Sequence, residues 1–304
     1  METRRIGSLE VTVTGLGCNN FGWRTDAAAS ARVVAAALDA GIDFFDTADI
    51  YDQGHSEEFL GRALKGRRDG AVVATKFGMK MEGIGQGAKP EYVRQAAESS
   101  LRRLGMERID LYQLHKPDAN TPIADTLGAL TDLVQEGKVR EIGCSNFSVD
   151  QLREAEKAAA TGARFVSVQN EYSLFHRDPE HGVLAECERQ GLAFIPFFPL
   201  ANGLLTGRYR AGKDAPAGSR GAVGFGPKVF TPENLAKVER LKEFAEARGH
   251  TLLELAFSWL ASHKLVASVI AGASTPEQVL SNARAADWRM SAAEIAEVER
   301  IAGA

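Results

Sequence analysis

The sequence predicts a single-domain α/β protein, a (β/α)8 TIM barrel with an amino-terminal β-hairpin at the barrel bottom. Two observations carry that prediction. Short β-branched runs alternate with helical stretches along all 304 residues, which is the rhythm of parallel strands joined by crossover helices. Several of those runs are apolar without alternation, as strands covered on both faces are.

The first element is the hairpin. Arg4–Ile6 and Leu9–Val11 flank Gly7-Ser8, a turn pair between two short apolar-bearing runs, placed to cover the amino-terminal end of the barrel. Eight strands follow: Val13–Gly17, Ile42–Asp46, Ala71–Lys76, Ile109–Leu114, Glu141–Ser145, Phe165–Asn170, Ala193–Pro196 and Ala267–Ala271. Between them, Ala27–Ala40, Lys89–Leu104, Ile123–Glu136, Asp150–Ala160 and Val183–Gln190 have helical spacing, and Ala292–Ile301 reads as the last helix. No linker divides the chain into two composition regimes, and barrels of about 250 residues or more commonly form one domain, so residues 1–304 read as a single unit.

Two long Gly-rich connections break the rhythm, Phe77–Lys89 after the third strand and Leu204–Thr231 after the seventh. Both follow strand carboxyl ends, where barrel enzymes place their sites, and are expected to act as lids over substrate or cofactor.

Composition narrows the partners. Apolar residues make up 44% and charged residues 25%, enough for a sizeable core. The net charge of −4 offers no broad positive field for nucleic acid or anionic lipid. Small-molecule partners are expected instead. The amino terminus has no apolar signal core and no apolar run reaches about 18 residues, so a cytoplasmic location without a membrane span is expected. Cys18, Cys144 and Cys187 fit neither a disulfide framework nor a metal site, so no metal is expected. Oligomeric state has no signature in the sequence.

The chemistry gathers at strand ends. The second strand ends in Asp46 with Tyr51 just beyond, the third in Lys76, and the fourth leads into His115. In a parallel barrel these carboxyl ends share one face, so an acid, an ammonium, an imidazole and a phenol are expected at one mouth. A buried Lys76 requires a partner, which Asp46 supplies. A lysine beside Tyr51 favours the phenolate and so improves the phenol as a proton donor. His115 can then orient a carbonyl oxygen while Tyr51 protonates it as hydride reaches the carbon. Two other readings of the same residues stay open: a Schiff-base lysine aldolase on Lys76, and a scaffold that binds a nicotinamide without turnover as a regulatory subunit. A Rossmann fold is disfavoured, because Gly15-Leu16-Gly17-Cys18-Asn19-Asn20 lacks the third glycine and reads as a tight turn.

Asp46-Thr47-Ala48-Asp49-Ile50-Tyr51, Thr75-Lys76 and Leu114-His115 resemble the catalytic motifs of the aldo-keto reductases. The resemblance continues through Gly15-Leu16-Gly17, Gly143-Cys144-Ser145-Asn146-Phe147, Gln169-Asn170-Glu171-Tyr172 and Ile270–Asn282. It implies an NADP(H)-dependent carbonyl reductase acting on a small-molecule carbonyl or alcohol substrate, with NAD the second choice, in which Tyr51 is the acid, Lys76 and Asp46 tune it and His115 orients substrate. It further implies that Gly17, Cys18, Asn19 and Asp46 border the cofactor, and that Ser145, Asn146 and Gln169 hold the carboxamide. Phe197 would stack on the nicotinamide, while Phe198, Pro199, Leu200, Ala201 and Gly203 would follow the pyrophosphate, with Arg208 and Arg220 supplying charge. Gly272, Ser274, Gln278 and Asn282 match the adenosine-ribose site. Many relatives carry a basic residue where this chain has Gly272, Ser274 or Gln278; here hydroxyls, amides and a helix start at Thr275-Pro276 take its place. Phe21, Trp23 and Met79 are expected as apolar walls for the substrate.

Overall fold

The structure is a computed structural model that describes residues 1–159, 162–209 and 229–303. The chain opens with strands β1 (Thr3–Ile6) and β2 (Leu9–Thr12), and then alternates strand and helix: β3 (Thr14–Gly17), α1 (Ala27–Asp39), β4 (Phe44–Asp46), α2 (His55–Ala63), β5 (Val72–Phe77), α3 (Pro90–Leu104). It continues with β6 (Ile109–Leu114), α4 (Ile123–Gln135), β7 (Val139–Ser145), α5 (Val149–Ala158), β8 (Phe165–Glu171), α6 (Val183–Gln190) and β9 (Ala193–Phe197). The last stretch holds α7 (Pro232–Glu246), α8 (Leu252–Ser262), β10 (Val269–Gly272), α9 (Pro276–Arg284) and α10 (Ala292–Ala302).

Strands β3 to β10 form one parallel eight-stranded sheet in the order β10-β3-β4-β5-β6-β7-β8-β9. Phe194 of β9 closes it, donating its amide to the Leu265 carbonyl at 2.8 Å and accepting from the Ala267 amide at 2.9 Å. The predicted (β/α)8 barrel is therefore the observed fold. The outer helices bury one stripe each; α3, for example, buries Val93, Ala97, Leu101 and Leu104 at helical spacing.

The hairpin β1–β2 plugs the bottom. Its turn uses Gly7 at φ +57°, and Ile6, Leu9 and Val11 are fully buried in one cluster with Phe44, Leu111 and Ile195 from the barrel lumen. Two contacts lock it to the amino-terminal rim. The Ser8 amide donates to Glu141 at 2.7 Å, and the Arg4 guanidinium donates to the Val266 and Ala261 carbonyls. Sealing that end leaves the carboxyl end as the open face.

One expectation needs correction, and one helix was not expected. Gly15 and Gly17 lie within β3 rather than in a turn; a Cβ on Gly15 would stand 2.8 Å from Ser268 Oγ, so glycine there answers to strand packing. The turn falls one step later, where the Phe21 amide donates to the Cys18 carbonyl. Helix α2 was not foreseen, because it follows directly on the Tyr51–Gly54 turn, with Gly54 at φ +98° as its cap. Of the two long loops, the first is described throughout, with Met81 and Gly85 bridged; most of the second, including Arg220, lies outside the described residues.

Candidate active site

A cavity of about 550 Å³ opens at the carboxyl end of the barrel, within the range of small-molecule sites. Asp46 from the end of β4, Tyr51 from the turn after it and His115 from just beyond β6 all line it. Lys76, in the middle of the carboxyl half of β5, is fully buried immediately beneath.

The lysine organises the site. Its Nζ donates to Asp46 Oδ2 at 2.6 Å, to the Thr47 carbonyl at 2.8 Å and to the Tyr51 hydroxyl at 3.4 Å. Asp46 is held on its other oxygen by amide donors from Gln169 at 2.9 Å and Gln113 at 3.3 Å. All of the ammonium's donors are thus directed by barrel strands or by the turn that follows β4. Burial pulls the Lys76 ammonium towards neutrality, but Asp46 and Tyr51 outweigh it and hold the lysine's pKa above the ordinary value. Burial likewise dominates at Tyr51, pushing the phenol up, with Lys76 pulling the other way. The expected sign of the lysine's effect is present, yet the net position of the phenol is above ordinary tyrosine.

His115 packs edge-on to Tyr51, with ring centroids 6.0 Å apart at 83°. Burial, with Lys76 and Lys116 adding to it, lowers its pKa to about 3, so the ring is neutral at working pH. Its Nδ1 is buried without a hydrogen-bond partner among the described residues. A neutral imidazole beside a phenol and an ammonium offers hydrogen bonds to a polar oxygen without competing for its proton.

Ser145, Asn146 and Gln169 come together at the ends of β7 and β8 and line the cavity. Ser145 Oγ donates to the Gln169 carbonyl at 2.7 Å, and Asn146 Nδ2 donates to the His115 carbonyl at 3.0 Å. Phe197, Phe198, Pro199, Leu200, Gly203 and Arg208 form one wall; Gly17, Cys18, Asn19, Gly272, Ser274, Gln278 and Asn282 form another. Ala201 belongs to the same loop but is buried and outside the lining.

The substrate-wall expectation fares worse. Phe21 is fully buried in the core, because the turn that follows β3 folds its ring inward. Trp23 is half exposed and lies against the Arg24 guanidinium, 4.6 Å from its ring centre. Neither it nor Met79 lines the cavity. Sequence reasoning also missed Asn20 and Arg24. Asn20 Nδ2 donates to Ser274 Oγ at 3.3 Å, tying the loop after β3 to the loop after β10, and Arg24 on the same loop lines the cavity. Their role depends on the neighbouring of β10 and β3, which no local pattern announces.

Six described non-glycine residues have positive φ: Asp52, Gln53, Asn146, Phe198, Ala201 and Asn202. All six stand in loops that follow strand carboxyl ends and border this face. Such conformations persist where the surroundings over-determine them, which is common at binding sites.

A flat, phosphate-bearing cofactor suits the arrangement. An aromatic ring at Phe197, the Asn146 amide and the Ser145 hydroxyl on the lining, and Arg208 with Arg24 at the cavity walls supply stacking, hydrogen bonds and charge. The start of α9 adds an ordered helix terminus, with Thr275 capping Gln278 and the Ser274 amide donating to Gln278 Oε1 at 2.8 Å. Among the described residues no cluster of side chains could hold a metal, and no helix is long and apolar enough to cross a membrane.

Comparison with known proteins agrees with the geometry. A "Probable voltage-gated potassium channel subunit beta" from Oryza sativa subsp. japonica is 33% identical over 94% of this chain and 92% of its own length. An "Aldo-keto reductase yakc [NADP(+)]" from Schizosaccharomyces pombe is 35% identical over 85% of this chain and 78% of its own. Among solved structures, a glycerol dehydrogenase from Gluconobacter oxydans superposes with a TM-score of 0.86 at 32% identity, covering 98% of this chain and 94% of that one. The profile of the Aldo/keto reductase family matches residues 14–302, so the chain belongs to the aldo/keto reductase family.

Proposed function

We propose that this oxidoreductase passes hydride from NADPH to an aldehyde or ketone, reversibly, with Tyr51 as the general acid. The observation that carries the reading is Lys76 Nζ bridging Asp46 at 2.6 Å and Tyr51 at 3.4 Å under a cavity that His115 also lines. Phe197, Ser145 and Asn146 would hold the nicotinamide, which would supply the hydride when bound. Gln169 and Gln113 fix Asp46, Asp46 fixes Lys76, and Lys76 opposes the burial that weakens the phenol as an acid. His115, neutral, hydrogen-bonds the substrate oxygen and aims it at the Tyr51 hydroxyl, which gives up its proton as negative charge develops on that oxygen. The proton on Tyr51 is replaced from solvent through the open mouth.

The lysine is a poor candidate for Schiff-base chemistry. Its ammonium is held by three acceptors and kept protonated by Asp46, and only a neutral amine adds to a carbonyl. The preference for NADPH is supported by Arg24 and Arg208 on the cavity lining, with Glu277 at the start of α9 opposing them. The yeast relative is named for NADP(+). The rice relative's name favours a second reading, cofactor binding by a regulatory subunit. One experiment separates them: titrate the purified protein with NADPH and NADH, then follow cofactor oxidation against a panel of aldehydes and ketones. Sustained turnover with tighter NADPH binding is expected; tight binding without turnover on any carbonyl would favour the regulatory reading.

A further inference from the structure

A second buried ionisable cluster lies behind the catalytic group. Asp49, three residues after Asp46, is 1% exposed. Neither carboxyl oxygen has a hydrogen-bond partner of good geometry among the described residues; the Ile50 amide, then the Arg103 and Lys76 charges, favour its ionised form but do not outweigh burial and Glu57. Its neighbour Glu57, from α2, is as deeply buried but fully engaged. Glu57 accepts from Thr75 Oγ1 at 2.5 Å and from Arg103 Nε at 2.6 Å. The hydroxyl of Tyr112, on β6, is likewise buried without a hydrogen-bond partner among the described residues. The groups that act electrostatically on Asp49 are Glu57 from α2, Arg103 from α3 and Lys76 from β5; Asp49 in turn acts on Tyr92 from α3 and Tyr112 from β6.

The two carboxyls cannot both be ionised cheaply. Arg103 is committed to Glu57, and an ionised carboxylate without donors is strongly disfavoured in such surroundings. The proton therefore resides on Asp49. Burial, then the Glu57 charge, moves its pKa up to about 7. Asp49 is also wired to the catalytic strand, since its amide donates to the Lys76 carbonyl at 3.1 Å.

We propose that Asp49 is a positioning residue that acts on Tyr51 through Lys76: it is a neutral acid in the working site, and its ionisation weakens Tyr51 as a proton donor. The sign follows from charge. A neutral Asp49 leaves Lys76 facing one carboxylate, Asp46, and free to favour the phenolate. An ionised Asp49 adds a second negative charge behind the lysine, which stabilises the ammonium but disfavours negative charge on the phenol. Asp49 stands two residues before Tyr51, and a charge about 12 Å away, at an effective dielectric of about 20, changes a group's acidity by on the order of tenfold. Carbonyl reduction should fall by about threefold to tenfold as pH rises from about 6 to about 8, with an inflection that belongs to neither Tyr51 nor His115.

The kinetic arm rests on the carbonyl-reduction reading, and a spectroscopic arm does not. Asp49→Asn keeps the shape and removes the proton equilibrium. Its kcat/KM at saturating NADPH should stay level between about pH 6 and 8, near the wild-type value at about pH 6. In parallel, infrared titration of wild-type protein carrying 13C-aspartate should show a protonated carboxylic-acid carbonyl band that disappears across the same range and is missing from Asp49→Asn. The titration on wild-type protein stands even where the variant fails to fold. An Asp49→Asn profile that keeps the wild-type inflection would overturn the coupling to Tyr51. A wild-type protein with no titrating acid band near neutrality would overturn the buried neutral acid itself. Failure of the reductase reading would appear instead as no turnover in either protein with the infrared band intact.

Discussion

Replacing Lys76 by methionine keeps most of the side chain's volume and removes its charge from a position with no solvent exposure. At 3.4 Å from the Tyr51 hydroxyl, and at an effective dielectric of about 20, that charge favours the phenolate by about 5 kcal/mol. The figure corresponds to between about three and four decades in acidity. Burial already weakens the phenol, so without the lysine it becomes a still poorer donor near neutrality. Carbonyl reduction should drop by about two to four orders of magnitude, the usual worth of a positioned acid, and the alkaline limb of the pH–rate profile should move upward. A second consequence separates catalysis from folding. Asp46 loses its cation but keeps the Gln113 and Gln169 donors, so the loss of stability should sit near the low end for a broken buried pair, about 3 kcal/mol, or several degrees in Tm. The double variant Asp46→Asn/Lys76→Met removes the orphaned charge and should recover much of that stability without recovering activity. Steady-state rates over a pH series, with thermal melts of the three variants, check all of this. A Lys76→Met enzyme with an unshifted profile and near-normal rate would refute the assignment of the lysine to Tyr51.

Other outcomes follow from the same structure. His115 has a folded pKa of about 3 against 6.5 for the free group, so the folded state binds fewer protons than the unfolded chain between those values. Its contribution to stability is complete above about pH 6.5 and fades as pH falls, by on the order of 3 kcal/mol at about pH 4. In urea melts at about pH 7 and pH 4, His115→Gln should lose less stability on acidification than wild type, and equal losses would show that the histidine is not held neutral. Gly61 in α2 packs where a Cβ would stand 2.1 Å from the Leu104 carbonyl oxygen, a backbone atom that cannot turn aside. Gly61→Ala should cost about 3 kcal/mol or more, read from the denaturant midpoint, and a change below about 1 kcal/mol would mean that the α2–α3 contact is looser than described.

The barrel was legible because its strands are buried on both faces and its helices on one. That is why Ile109–Leu114 and Val183–Gln190 were expected at the limits observed. Where the local pattern is weak, it failed. Helix α2 begins on His55-Ser56-Glu57-Glu58 directly after a left-handed glycine, and its apolar face is too short to declare a period. Helices α7 and α8 lay beside a loop that drew the reading away, although Thr251 and Glu254 form a capping box that marks the start of α8. Asp46, Lys76 and His115 could be read because each follows a strand-like run with an ionisable group, and Tyr51 because it stands just beyond the first of them. Phe21 was misplaced because a ring beside a strand end can face the mouth or the core, and only the turn decides. The charge state of Asp49 was invisible for a related reason. Its partners Glu57, Arg103 and Tyr112 come from three other elements, and a sequence motif records none of them.

The central claim is that Tyr51 delivers the proton from a site that binds cofactor independently of it. The Tyr51→Phe variant tests this most directly, because it removes one hydroxyl while leaving Lys76 bound to Asp46 and to the Thr47 carbonyl. NADPH binding, followed by quenching of protein fluorescence, should stay within about threefold of wild type, while carbonyl turnover falls by at least about two orders of magnitude. Turnover that survives the loss of that hydroxyl would contradict the account.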